Sequence, residues 1–264
     1  MIQVEYSKKI GNVMIAGESQ VATRDRSAET ETLELDRIRQ AFSRRSRGDP
    51  SFYSLLNPGH LFQIQEREYE FASMLSRRGV GSLESSRILD VGCGTGYWIR
   101  LFLQWGAHPE NMFGIDLLPE RIDLARKLCP QGVHLECATA SALSFPDNSF
   151  DLVLQSTVFT SILDQDMKRR VAGEMSRVLK PTGFIVWYDF VFNNPRNPDV
   201  RGVRRSEIRK LFPGCQIHWR RMTLAPQLGR IVGRRSPLMY RLLAHTKVLC
   251  THDLCLITKK RQLR

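Results

Sequence analysis

The sequence predicts an α/β fold, a doubly wound and largely parallel sheet covered by helices on both faces. Three observations carry this. From Arg87 onward, short apolar runs alternate with amphipathic stretches at the spacing of strand–helix–strand units. The first run, "RILDV", passes directly into the glycine-rich "GCGTG" and then a helical pattern, the order of a ligand-binding βα turn. With 42% hydrophobic and 25% charged residues, the 264-residue chain can also bury a full core.

Residues 1–33 are polar and weakly periodic, and are expected to form a loosely ordered lead-in. "ELDRIRQAFSRRS" has helical periodicity, and "RGDPSFYSLLNPGH" breaks it with two prolines and two glycines. "LFQIQEREYEFASMLSRRG" resumes a helix, with apolar Leu61, Ile64, Phe71 and Leu75 and a basic, glycine-ended stop. "RILDV", "NMFGIDL", "VHLECAT", "FDLVLQS" and "GFIVWYDF" read as five strands. "GYWIRLFLQWGA", "PERIDLARKLC", "QDMKRRVAGEMSRVL" and "RSEIRKLF" read as helices, the second opening on Pro119. "CQIHWRRMTLA" and "THDLCLITKK" close the chain as strands, with a helical insertion between them over 222–246. The organisation expected is one domain over 34–264, with a helical cap at 34–86, a ligand-binding core at 87–190 and a substrate-side segment at 191–264.

No apolar run is long enough to cross a bilayer, and the first residues lack the basic-then-apolar layout of a secretion signal. Six scattered cysteines, without a CxxC pair or a His cluster at metal spacing, point to reduced structural thiols, a cytoplasmic location and no metal.

The glycine turn narrows the ligand. A dinucleotide fingerprint is GxGxxG, but Gly92, Gly94 and Gly96 give GxGxG, and Tyr97 stands at the place of the third fingerprint glycine. No Gly-Lys-Ser/Thr follows, so the phosphate-binding loop of nucleotide hydrolases is excluded as well. Asp90 ends the first strand, where a carboxylate would repel a pyrophosphate but attract an ammonium. Asp116 ends the second strand, in position to accept hydrogen bonds from ribose hydroxyls. Two acids around an alternate-glycine turn suit a ligand with a ribose, a positive charge and no phosphates; S-adenosylmethionine is such a ligand.

With "ILDVGCGTG", "GIDLLPERIDLAR", "LSFPDNSFDLV" and "RVLKPTGFIV" in order over roughly a hundred residues, residues 87 to 190 resemble the class I S-adenosylmethionine-dependent methyltransferases, in particular the type 11 small-molecule group. The resemblance implies a Rossmann-like seven-stranded sheet whose last strand runs antiparallel. It implies that Asp90, Gly92, Gly94 and Gly96 line the methionine and ribose side of the cofactor. Asp116 would bind the ribose, Leu117 would pack on the adenine, and Thr139 and Ala140 would meet its edge. Gln155 would face the methionine end. Two departures from the family pattern stand out. An acid is usual near Thr139, and "VFTSI" replaces a "VLHH" stretch, which removes a histidine base from that loop.

Methyl transfer from a sulfonium is an in-line displacement, served mainly by alignment in a water-poor pocket. A base is needed only when the acceptor must lose a proton. The candidates are Asp189, at the end of the fifth strand, and His60, in the helical lead-in, ahead of Tyr188, His218, His245 and His252. Asp189 could equally cap the following loop. "YDFVFNNPRNPDVRGVRR" overhangs the crevice, and its Asn193, Asn194, Arg196, Asn197, Arg201 and Arg204 suit hydroxyls or anions, or else form a turn into the next helix.

Residues 195–264 hold 17 Lys and Arg against three acids, whereas the first 194 hold 22 against 24. A solvated basic surface and an anionic partner are both compatible with this. The reading that results is a methyltransferase for a small-molecule acceptor, anionic or glycosylated, with nucleic acid disfavoured for want of a recognisable motif. The alternatives are an RNA or protein methyltransferase docking through the basic third, and a non-catalytic cofactor-binding regulator. The acceptor and the oligomeric state are not readable from the sequence.

Overall fold

The strands form at the short apolar runs of the sequence. The structure, a computed structural model, describes residues 29–44, 54–195 and 197–260. β1 (Ile88–Val91) is buried at every position and pairs in parallel with β2 (Met112–Asp116) on one side and β4 (Phe150–Ser156) on the other. β3 (His134–Cys137) extends the sheet beyond β2, and β5 (Leu179–Phe190) extends it beyond β4. β7 (Cys250–Lys259) inserts antiparallel between β5 and β6 (Cys215–Leu224), completing the order β3-β2-β1-β4-β5-β7-β6. The order reverses between β1 and β4, so a ligand crevice opens outside the carboxyl end of β1. The seven-stranded α/β sheet with an antiparallel last strand is the fold the sequence predicts.

Alternation along the strands divides the core. In β5, Ile185 and Trp187 face one side of the sheet, and Val186 and Tyr188 the other. Helix α1, residues 29–44, lies on the first face with α5 (Gln165–Val178) and α6 (Arg205–Leu211). On the second face are α2 (Pro58–Ser76), α3 (Tyr97–Gln104) and α4 (Pro119–Leu128). The predicted helical insertion is the pair α7 (Pro226–Arg235) and α8 (Pro237–His245). It has a small core of its own, in which Tyr240 and Ala244 pack with Leu224, Cys250 and Phe62 of α2. The close crossing of α2 and α7 rests on glycine: a Cβ on Gly233 would stand 2.9 Å from Gly59 Cα, and one on Gly59 would collide with the Arg230 backbone.

Three boundaries differ from the sequence expectation. Residues 29–33, assigned to the lead-in, are already helical; the apolar pattern is silent there, but Glu31 ties that turn to Arg170 at 2.9 Å. α2 starts three residues before the expected Leu61, inside the stretch read as a break, because the Asn57 side chain caps Gly59 and His60 and Pro58 occupies the first turn. β5 begins at Leu179, ahead of the expected Gly183, through a register irregularity opposite Phe150 and Leu152. The rest of the lead-in, residues 1–28, lies outside the described residues.

Candidate active site

The turn after β1 can be built only with glycine. Gly92, Gly94 and Gly96 have φ of +71°, +55° and +76°, the left-handed region that side chains disfavour. A Cβ on Gly92 would also collide with Val158, and one on Gly96 would sit 2.6 Å from Cys129 Sγ. The turn is stitched to the next strand: Cys93 N donates to Ile115 O at 2.9 Å, and Gly94 N to Asp116 Oδ2 at 2.9 Å. Asp116 Oδ1 accepts from Leu118 N at 3.0 Å, and Arg121 Nη1 lies 3.9 Å from Oδ2. Each carboxylate oxygen retains a further lone pair.

Asp90 is treated differently. It is just as buried as its strand neighbours, yet neither carboxylate oxygen has a hydrogen-bond partner. Burial, with the nearby Asp116 charge adding to it, pushes its pKa up to about 8. Buried polar atoms are normally satisfied, so an orphaned carboxylate beside a glycine turn fits a cationic ligand group.

Gly92 and Asp116 open onto a cavity of about 170 Å³ that is also lined by Leu117, Thr139, Ala140, Thr157 and Val158. Its roof is α1, which contributes Leu35, Ile38 and Phe42. The helix is fastened from outside the sheet. Glu34 Oε1 accepts from Leu163 N at 2.5 Å, and its carboxylate also receives Arg37 Nε and Nη2 at 2.7 and 2.9 Å. Arg37 Nη2 donates to Ser161 O at 2.5 Å, and Glu31 accepts from the Ser141 hydroxyl, which shares a hydrogen bond with Thr139. The Arg121 guanidinium stacks 4.6 Å from the Phe42 ring.

A second group gathers at the carboxyl ends of β5 and β6, on the face away from α1. The Arg67 guanidinium of α2 lies 5.3, 4.8 and 5.4 Å from the rings of Tyr97, Trp98 and Tyr188, and its Nε has no partner. Tyr188 shares a hydrogen bond with Thr223 at 2.9 Å and stacks on His252 with ring centres 4.8 Å apart. Burial, and then the Arg67 and Arg221 charges, push His252 down to about 3, so its imidazole is neutral. Glu66 is raised by burial and accepts from Tyr240 Oη at 2.7 Å. Sequence reasoning missed Arg67 because α2 was read only for its apolar stripe. The misplaced "third glycine", Tyr97, was the available signal: its hydroxyl is bound by Glu68 of the same helix.

Asp90, Gly94 and Gly96 do not line that cavity, and neither do Gln155, Asp189 and His60. Gln155 is fully buried, its amide bonded to Tyr188 O at 3.5 Å and Val158 N at 3.1 Å. Asp189 lies on the α1–α5 side, where Oδ1 accepts from Thr160 Oγ1 at 2.7 Å and Phe190 N at 2.9 Å, and Oδ2 from Thr160 N at 3.2 Å. Burial outweighs these bonds and raises its pKa to about 7. His60 sits in the first turn of α2 near Arg230 and Arg67, and burial followed by those charges lowers its pKa.

In the loop after β5, Asn193 Oδ1 accepts from Gly202 N at 3.0 Å, Asn197 Oδ1 from Asp199 N at 3.1 Å, and Asn194 O from Asn197 N at 3.0 Å. Arg201 pairs with Glu207 at 2.8 Å, Arg204 is the exposed residue ahead of α6, and Arg196 lies outside the described residues. Asn193, Asn197 and Arg201 are thus turned onto the loop's own backbone and α6.

A family model described as a methyltransferase domain matches residues 88–183. The chain is 30% identical over 168 residues to the ubiquinone/menaquinone biosynthesis C-methyltransferase UbiE of Citrifermentans bemidjiense, covering 61% of this chain and 67% of that protein. It is 33% identical over 118 residues to the tRNA N(3)-cytidine methyltransferase METTL2 of Gallus gallus, covering 42% of this chain and 32% of that protein. The chain spans between 32% and 57% of the length of four such curated relatives. An S-adenosylmethionine-dependent methyltransferase structure from Mesorhizobium loti shares the fold at a TM-score of 0.51 and 20% identity, over 69% of this chain and 94% of that one.

Proposed function

This chain belongs to the class I S-adenosylmethionine-dependent methyltransferases, and from that premise we propose that its acceptor is a small molecule with an anionic group. One observation carries the reading: the crevice is roofed on both flanks. α1 covers the cavity at Asp116, and α2 with α7 and α8 covers the group around Arg67 and Tyr188. Such roofs suit a small anion better than a folded RNA, and Arg67, beside Tyr188, has donor capacity left at Nε. The similarity to a quinone-biosynthesis methyltransferase over two thirds of its length is in keeping with a small acceptor.

When bound, the cofactor supplies an electrophilic methyl group on a sulfonium. In this reading Asp116 accepts from the ribose hydroxyls with the lone pairs that Gly94 N and Leu118 N leave over. Leu117, Thr139 and Ala140 hold the adenine, and Asp90 receives the ammonium of the methionine part. The protein contributes alignment and the exclusion of water. Asp189 acts as a positioning residue: it fixes Thr160, and with it the turn carrying Ser161 against α1. Tyr188 and the neutral His252 shape the acceptor side next to Arg67.

The test is a panel of anionic and neutral acceptors with labelled methyl donor. Arg67→Gln should raise KM for anionic acceptors about tenfold, the loss of one charge-assisted hydrogen bond, with cofactor affinity unchanged by calorimetry. Methylation of RNA with no small-molecule turnover would refute the proposal.

A further inference from the structure

The α7–α8 hairpin has an outer face that the fold does not explain. In α8, Tyr240 and Ala244 point inward one turn apart, so Leu238 and Leu242, two residues before each, stand on the opposite side. In α7, Gly229 and Gly233 face α2, and Ile231 between them faces out. Ile231, Leu238, Met239, Leu242, Val248 and Leu249 are between 41% and 80% exposed. A helix apolar on both faces is one that expects cover on both.

The charge around these side chains indicates what provides that cover. Residues 226–249 contain Arg230, Arg234, Arg235, Arg241 and Lys247 and no acid. Elsewhere in the basic third, part of the charge is neutralised internally: Arg205 and Arg221 grip Asp253 at 2.8 Å, and Arg201 pairs with Glu207. Arg234, Arg235, Arg241 and Lys247 are instead exposed beside the aliphatic residues. A second copy of the chain would set like charge against like. A phosphate backbone would leave the leucines in water. Helices of 10 and 9 residues are too short to cross a membrane, and no described helix is long and apolar enough to do so. Aliphatic side chains rimmed by arginine and lysine match the boundary between lipid headgroups and acyl chains.

We infer that the outer face of α7 and α8 docks on an anionic lipid surface. The inner face of the same hairpin closes over the Arg67 group through Tyr240 and Glu66, so the bilayer lies next to the acceptor half of the crevice.

Co-sedimentation of the full chain with phosphatidylcholine vesicles, and with equimolar phosphatidylcholine–phosphatidylglycerol vesicles, tests this. Binding is expected to the anionic vesicles only, weakening as salt rises. Leu238→Glu and Leu242→Glu should each lower partitioning at least about tenfold. Arg234→Gln and Arg235→Gln should each lower it about fivefold. Unchanged calorimetric affinity for S-adenosylmethionine shows that the variants are folded, and keeps this result separate from the question of the acceptor. No binding to anionic vesicles, or binding that the leucine variants leave intact, overturns the inference. So does a dimer in sedimentation velocity that Leu238→Glu dissolves, or RNA binding in place of vesicle binding.

Discussion

Asp90, at the end of β1, and Asp253, in β7, are each 1% exposed, yet the fold treats them oppositely. Asp253 stands opposite Asp189 in the β5–β7 register, a like-charge pairing that would be costly if left alone. Arg205 and Arg221 resolve it, one guanidinium from α6 and one from β6, with four hydrogen bonds between 2.8 and 3.4 Å. Asp90 receives none. Burial alone therefore says little about a carboxylate's role. An acid the fold needs for itself is satisfied by the fold, and an acid left bare beside a crevice is a candidate for binding something that arrives from outside.

The contrast is breakable, first at Asp253. Asp253→Ala should cost about 3 kcal/mol, the low end for a buried pair because both arginines reach solvent. That corresponds to a melting temperature lower by about 6–12 °C in a chain of this size, read by calorimetry, with cofactor affinity of the folded protein unchanged. A loss of cofactor binding instead would mean that the two acids are not separable.

Asp116→Ala should weaken S-adenosylmethionine binding by about 2 kcal/mol, roughly thirtyfold, through lost acceptor bonds to hydroxyls. It should also soften the glycine turn, since Gly94 N and Leu118 N lose their partner. Asp116→Asn, which keeps one acceptor oxygen, should retain more stability than affinity. Isothermal titration set against thermal melts separates the two losses.

Asp90→Asn sharpens the comparison through pH. An acid whose folded pKa is raised to about 8 binds a proton more readily when folded than when unfolded. Its contribution to the stability of the cofactor-free protein is therefore full below the unfolded value and declines as pH rises toward 8. Asp90→Asn should flatten that decline and make the protein more stable than wild type above pH 8, while weakening cofactor binding by about 1–2 kcal/mol. An unaltered pH profile in chemical denaturation would show that Asp90 has hidden partners.

The smallest effect is expected at Thr160→Val, about 1 kcal/mol of stability from one lost hydroxyl bond. Because hydrogen bonds from Thr160 hold the Asp189 pKa down against burial, the variant should move the titration of Asp189 upward from about 7. Carboxyl NMR reads that directly, and a purely steric role for Thr160 would leave it in place.

The sequence was informative wherever a residue's requirement is local. Alternating runs produced the strands, and three glycines in one turn announced three left-handed φ values. Asp116 was legible from the end of its strand, whereas Leu117, Thr139 and Ala140 came only from the family resemblance; all four line the cavity. What a helix faces was not legible. Leu35, Ile38 and Phe42 showed a stripe, but nothing in their spacing said that it would roof the cavity. After β5 the sequence left an anion site and a turn equally open; in the fold, Asn193 and Asn197 accept from the loop's own N–H groups and Arg201 pairs with Glu207 of α6. Arg67 remained invisible because its surroundings converge from α2, α3 and β5, segments that together span more than a hundred residues of sequence.

The roof formed by α1 has a consequence for timing. This helix contributes no strand to the sheet, and is held by Glu34, Arg37 and Glu31 acting on the turn after β4, Ser141 and Arg170. Leu35, Ile38 and Phe42 of that helix line the cavity with Asp116, so cofactor exchange past them would require an interval in which those polar contacts part and re-form. Because one of the contacts, Glu31 with Arg170, is an ion pair, the length of that interval would depend on ionic strength in a way that the bond-making step does not.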